Sequence, residues 1–130
     1  MYLIDTNIFL EILLAQVKSD ECETFLENLN MEQPGWISSF SLHAIEAILG
    51  KNKSNSKVLK QFLSFIKSSP FISVYLTSLD DEILVSKSLA NSPLDFDDTL
   101  QYHIAKKNGF TLITLDKDFK RIRDIDVRFL

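Results

Sequence analysis

The chain has 130 residues, 45% hydrophobic and 25% charged, which suits one domain over residues 1–130 with a real core. A net charge of −4 argues against binding nucleic acid by bulk attraction, and no stretch reaches the roughly 20 apolar residues that cross a bilayer. A single cysteine, Cys22, excludes an internal disulfide and a cysteine cage for zinc, and the lack of a basic leader with a cleavable apolar segment points to the cytoplasm.

At the start, Tyr2-Leu3-Ile4 reads as a buried strand that stops at Asp5. Thr6 or Asn7 reads as a helix start, since either side chain can accept from the free N–H groups of a first turn. Ile8 to Leu14 is then a short, mostly apolar helix. Ser19 or Asp20 caps the next helix, whose buried face is Cys22, Phe25, Leu26 and Leu29 at i, i+3, i+4 and i+7. Gln33-Pro34-Gly35 breaks it, and Trp36-Ile37-Ser38 is a second strand. A helix from about Ser41 to Leu49 ends at Gly50 as a left-handed stop, and Lys51 to Ser56 is a polar turn.

Leu59, Phe62, Leu63 and Ile66 mark a further amphipathic helix, which Pro70 separates from a strand over Phe71–Leu76. Ser78, with Asp81 three residues on, caps a helix reaching about Ala90. Asn91 to Phe96 is a loop, Asp97-Asp98 opens a helix, and Asn108-Gly109 ends it. Phe110–Thr114 is the clearest strand, and Asp126–Leu130 is a last short one. Strands alternating with helices predict a three-layer α/β/α sandwich around a central, mostly parallel sheet of four to five strands.

Charge is unevenly spread. From Ala47 through Leu79 there is no acid but there are five lysines, Lys51, Lys53, Lys57, Lys60 and Lys67, leaving nine basic and eighteen acidic groups elsewhere. The segment is either a solvated helix face or a surface for a phosphate backbone, and the plainer reading is the face.

The acids carry the chemistry. Asp5 and Asp116 follow the first and fourth strands, Asp98 (with Asp97) lies in the first turn of a helix entering from the same edge, and Glu46 sits in an otherwise apolar helix. In a parallel sheet with right-handed crossovers the carboxyl ends of all strands share one edge. Carboxylates converging there repel one another unless a cation neutralises them, and all-oxygen ligation suits Mg²⁺ or Mn²⁺ rather than zinc. Such a site points to phosphoryl chemistry, with an activated water attacking a phosphodiester in line. The plainer alternative for Asp5 is a helix cap. His43 shares a helix face with Glu46; it reads as a polar residue at the pocket rim or partly in the core before it reads as a ligand. His103 is assigned no chemistry.

Asp5-Thr6-Asn7 after a strand, Glu46 in a helix, Asp98-Thr99-Leu100 opening a helix and Thr114-Leu115-Asp116-Lys117-Asp118-Phe119 after a strand together resemble the PIN (PilT N-terminal) domain family over essentially the whole chain. The resemblance implies a Mg²⁺- or Mn²⁺-dependent endoribonuclease, similar to the virulence-associated protein C toxins that a small antitoxin holds inactive. It implies Asp5, Glu46, Asp98 and Asp116 as the four acids. Asp5 and Asp98 would bind the cation, Asp116 would complete its shell, and Glu46 would position water or help hold a second ion. Asn7 and Thr114 match positions that orient the acids, and Asp97 is a cap or an outer ligand. Asp118 is first of all a turn residue, with a reach to the site through water. Thr99 stands where the family often has Ala.

Two alternatives are weaker. A haloacid-dehalogenase-like phosphatase needs an acid at position 7, where Asn7 stands, and a receiver domain needs its paired acids early in the chain. A catalytically silent PIN fold that only binds RNA or protein is disfavoured by the presence of all four acids. The partners to expect are an RNA substrate, a small antitoxin and a second copy of the chain, with no membrane.

Overall fold

The computed structural model describes residues 1–130. Five strands, β1 (Tyr2–Ile4), β2 (Gly35–Ser38), β3 (Ile72–Tyr75), β4 (Thr111–Thr114) and β5 (Val127–Phe129), form one sheet in the order β3-β2-β1-β4-β5. Every pairing is parallel. Six α-helices flank it: α1 (Thr6–Leu13), α2 (Ser19–Glu27), α3 (Ser39–Gly50), α4 (Ser56–Ser68), α5 (Leu79–Ser88) and α6 (Phe96–Asn108). This is the expected α/β/α sandwich, with its strand count at the upper end of the expected range. No helix is long and apolar enough to cross a membrane.

The two central strands show why both faces are covered. Leu3 pairs in register with Leu112 and Ile4 with Ile113, and all four are fully buried. Alternation along a strand sends the two pairs to opposite faces. Ile4 and Ile113 join a core with Phe9, Phe25, Ile45 and Phe62 from α1–α4. Leu3 and Leu112 join a second with Val85, Leu100, Ile104 and Phe119 on the α5/α6 side. From β1 the chain moves outward through β2 to β3, then crosses back to β4 on the other side of β1. The carboxyl ends of β1 and β4 therefore flank the point where the winding reverses, the place where open α/β sheets form a crevice.

Several local expectations need correction. Gly50 is the last residue of α3 and not a left-handed stop, because the chain runs on in right-handed geometry through Lys51 (φ −60°) into a 3₁₀ turn at Lys53–Asn55. The only left-handed glycine is Gly109 (φ 65°), which ends α6 as expected. Gly35 belongs to β2 and is not a breaker; a Cβ there would meet Ile4 Cδ1 at 2.6 Å and Leu29 Cδ1 at 3.1 Å, so a bare backbone lets the side chains of Ile4 on β1 and Leu29, just past α2, close on the strand. The α3 helix begins at Ser39, capped by Ser38 Oγ accepting from the Ser41 N–H. Asp97 and Asp98 lie in the first turn of α6 as expected, but Asp97 does not cap it; Asp95 is the N-cap, its Oδ1 accepting from the Asp98 N–H at 3.0 Å. The Ser78–Asp81 capping box on α5 forms as expected. A 3₁₀ turn at Lys117–Arg121 follows β4 and contains Asp118, the expected turn residue.

Candidate active site

Asp5 occupies the N-cap position of α1, yet its side chain makes no capping bond. It is 3% exposed, and its carboxylate is turned across the sheet edge towards β4. Oδ2 accepts from Thr114 Oγ1 at 2.6 Å and from Asn7 Nδ2 at 2.8 Å, and Oδ1 accepts from Gln101 Nε2 at 3.3 Å. Neither Thr6 nor Asn7 caps the helix. Thr6 Oγ1 donates to Ser41 Oγ at 2.8 Å. Asn7 bridges the two central strand ends, its Nδ2 reaching Thr114 Oγ1 at 3.2 Å and its Oδ1 accepting from the Leu115 N–H at 3.1 Å. Thr114 Oγ1 also accepts from the Asp116 N–H at 2.9 Å, which sets the start of the next turn.

Asp116 caps that turn, its Oδ1 accepting from the Asp118 N–H at 2.8 Å. The tight reversal brings Asp116, Asp118 and the first-turn Asp98 of α6 together, with one carboxylate oxygen of each within 4.8 Å of the others. Asp118 is therefore both the turn residue expected and a member of the acidic cluster. Asp97 lies alongside, half-buried, with Oδ1 sealed from solvent and unpartnered. Glu46 is half-buried on α3, outside the three acids that meet within 4.8 Å, and pairs with no cation. His43 is exposed, so its expected place partly in the core does not hold; the helix turns Ser41, Ile45 and Leu49 inward instead.

The electrostatics are those of crowded, poorly compensated acids. Burial pushes the Asp5 carboxyl up to about 6; the Thr114 hydrogen bond opposes this and the charge of Asp97 adds to it. Burial, then the negative charges of Asp95, Asp5, Asp116 and Asp97, push Asp98 up to about 7. Asp97 is raised by burial and by Asp95. The one ion pair to the cluster is from Arg121, 4.0 Å from an exposed oxygen of Asp118. An oxygen-only donor set, carboxyls driven towards the neutral form by burial and then by one another, and an orphaned buried oxygen on Asp97 fit a hard divalent cation of the Mg²⁺ or Mn²⁺ kind.

Two residues at this site were not foreseen. Gln101 and Ser41 form a buried polar layer beneath Asp5, Gln101 Nε2 donating to Ser41 Oγ at 2.7 Å. The one available signal was spacing, since Gln101 follows Asp98 by three residues and so shares its helix face.

A parallel α/β sheet whose winding reverses beside a pocket of aspartates brings the crevice of the fold and its acids to one place. The PIN domain family model matches residues 2–125, and the chain belongs to that family. Solved structures agree in fold. VapBC2 from Rickettsia felis, bound to a DNA fragment from its promoter, is 23% identical with a TM-score of 0.75, over 99% of this chain and 98% of that one. The VapC20 sarcin–ricin-loop-cleaving toxin of Mycobacterium tuberculosis is 15% identical with a TM-score of 0.79, over 98% and 99%. A toxin–antitoxin complex from Klebsiella pneumoniae is 21% identical with a TM-score of 0.69, over 96% and 95%. No curated protein matches the chain by sequence.

Proposed function

We propose that residues 1–130 form one domain acting as a Mg²⁺- or Mn²⁺-dependent endoribonuclease, the toxin of a toxin–antitoxin pair. The observation that carries this reading is the meeting of Asp98, Asp116 and Asp118 beside buried Asp5, with a single ion pair to the group, Arg121 to Asp118. Family membership and a structural neighbour that cleaves the sarcin–ricin loop support it.

In this reading Asp5 and Asp98 hold the cation, and Asp116 completes the set with Asp118 beside it. A divalent cation so held lowers the pKa of a water and neutralises charge on a phosphodiester. Asn7 and Thr114 keep Asp5 turned towards β4, Asp97 offers its unpartnered oxygen as an outer acceptor, and Glu46 orients water from the α3 side.

The α4 lysines Lys57, Lys60 and Lys67 are exposed and unpaired, and give the RNA backbone a place to lie. The antitoxin covers an apolar groove between α1, α2 and α4, lined by Phe9, Leu13, Leu26, Val58, Phe62 and Phe65. The Klebsiella pneumoniae complex supports such a partner. A second copy of the chain would cover Leu79, Ile83 and Leu84, which α5 leaves exposed.

The test is incubation of the purified chain with structured RNAs, with and without Mg²⁺ or Mn²⁺, beside Asp98→Asn. Cleavage that needs the cation and disappears in the variant is expected. Cleavage that persists in the variant or in chelator overturns the assignment, and RNA binding without cleavage leaves a silent binding module.

A further inference from the structure

We propose that Gln101 is a positioning residue that fixes Oδ1 of Asp5, the oxygen left free to take a cation, an inference that rests on the nuclease reading above. The two oxygens of Asp5 are held unequally. Oδ2 accepts two short bonds, from Thr114 Oγ1 (2.6 Å) and Asn7 Nδ2 (2.8 Å), which occupy its lone pairs. Oδ1 accepts one long bond, from Gln101 Nε2 at 3.3 Å, and so keeps a lone pair for a ligand from outside the protein. The last torsion of an aspartate is soft, so a carboxylate pinned at one oxygen can rock about that pin. The Gln101 amide is the group that stops Oδ1 from doing so.

Gln101 is itself clamped. Its Nε2 also donates to Ser41 Oγ at 2.7 Å, and the Ser41 hydroxyl is in turn hydrogen-bonded with those of Thr6 (2.8 Å) and Ser38 (2.9 Å). Turning the amide over would set Oε1 against the Asp5 carboxylate, so the network dictates which end faces Asp5. The arrangement carries a cost. Gln101 is 1% exposed and Oε1 has no partner, a destabilising state for a buried carbonyl. Its helix neighbours in the core are Leu100, Ile104 and Ala105, and an apolar residue would fill position 101 without that cost. With its oxygen idle and both N–H groups of its amide engaged, Gln101 serves this site through what it donates. Because α6 carries both Asp98 and Gln101, one rigid helix sets the spacing of Asp98 and Asp5 together.

The test uses the full chain and two readouts that do not depend on cleavage. Gln101→Met keeps the side-chain length and removes both donors. Mn²⁺ affinity, from the electron paramagnetic resonance signal of free Mn²⁺, is expected to fall about tenfold or more, the effect of losing an outer partner of a metal ligand. The Tm in chelator is expected to hold or rise, because the orphaned oxygen is gone. A variant with lower Tm and unchanged Mn²⁺ affinity is what a packing role predicts and overturns the proposal. The second readout needs no variant: in the wild-type chain, the Gln101 side-chain amide resonances shift with those of Asp5 as Mg²⁺ is added. Shifts at Asp5 with a stationary Gln101 amide overturn the positioning role and leave the nuclease reading intact. A wild-type chain that takes up no Mn²⁺ overturns both together.

Discussion

Asp98 shows how far a single side chain is governed by its neighbours. Burial and four surrounding aspartates hold its carboxyl near 7, and burial holds Asp5 near 6. Both values lie above the ordinary carboxylate range, so between about pH 4 and pH 7 the folded chain keeps protons that the unfolded chain has released. Without a cation, stability therefore falls as pH rises through that window. The Tm in chelator is expected to be higher at pH 5 than at pH 8, and Asp98→Asn to remove part of the fall while lowering cleavage at least about 100-fold. Equal wild-type Tm values at the two pH values would contradict this account. At this scale the sequence was only half readable. Asp5, Asn7 and Thr114 stand at strand ends, where polar residues attract notice. Gln101 does not, because a glutamine among Leu100, Ile104 and Ala105 looks like the wet side of a helix until Asp5 and Ser41 are seen to close over it.

Elements were easier to read than their ends. Strand cores such as Leu112-Ile113 announce themselves by unbroken apolar character, which a sheet covered on both faces requires. Caps follow the path of the backbone, and that path is set by tertiary packing. Asp95 therefore took the role expected of Asp97, and Gly50 stayed helical. Two contacts between elements make measurable predictions. Asp81, 5% exposed, completes the capping box of α5 and accepts from Lys107 Nζ at 2.9 Å and pairs with His103 Nε2 at 3.1 Å on α6. The Lys107 hydrogen bond, then that of His103, holds its carboxyl well below the usual range. Its stabilisation is therefore complete above the ordinary carboxylate pKa and is lost as pH falls below it. Asp81→Ala is expected to cost about 2 kcal/mol in urea unfolding at pH 7, a difference that narrows as the pH drops below about 4. Gly35→Ala, forcing a methyl against Ile4 and Leu29, is expected to cost about 1–3 kcal/mol by the same measurement. A neutral result would mean that the Ile4 side chain of β1 yields more readily than its 2.6 Å approach suggests.

Over the whole molecule the charge is divided, and the division bears on how a polyanion meets the protein. Nine basic and eighteen acidic groups lie outside the stretch from Ala47 to Leu79, and five lysines with no acid lie within it. Most of the surface repels a phosphate backbone, and the pocket of aspartates repels it too until a cation is held there. On α4, Lys57, Lys60 and Lys67 recur at i, i+3 and i+10, within about 80° of one another around the helix, and the apolar positions Phe62 and Ile66 face the core. A strand of RNA lying along that stripe releases about 0.7 counterion for each phosphate it pairs. In Asp98→Asn, used so that cleavage does not interfere, replacing the three lysines with alanine is expected to weaken RNA binding for all sequences alike. It should also flatten the slope of log affinity against log salt by about 2. Fluorescence anisotropy with a labelled single-stranded RNA from about 50 to 200 mM salt measures both quantities. An unchanged slope would mean that these lysines are only a solvated helix face and that the backbone is held elsewhere. A slope that flattens for one RNA sequence and not another would mean that they read bases as well as charge.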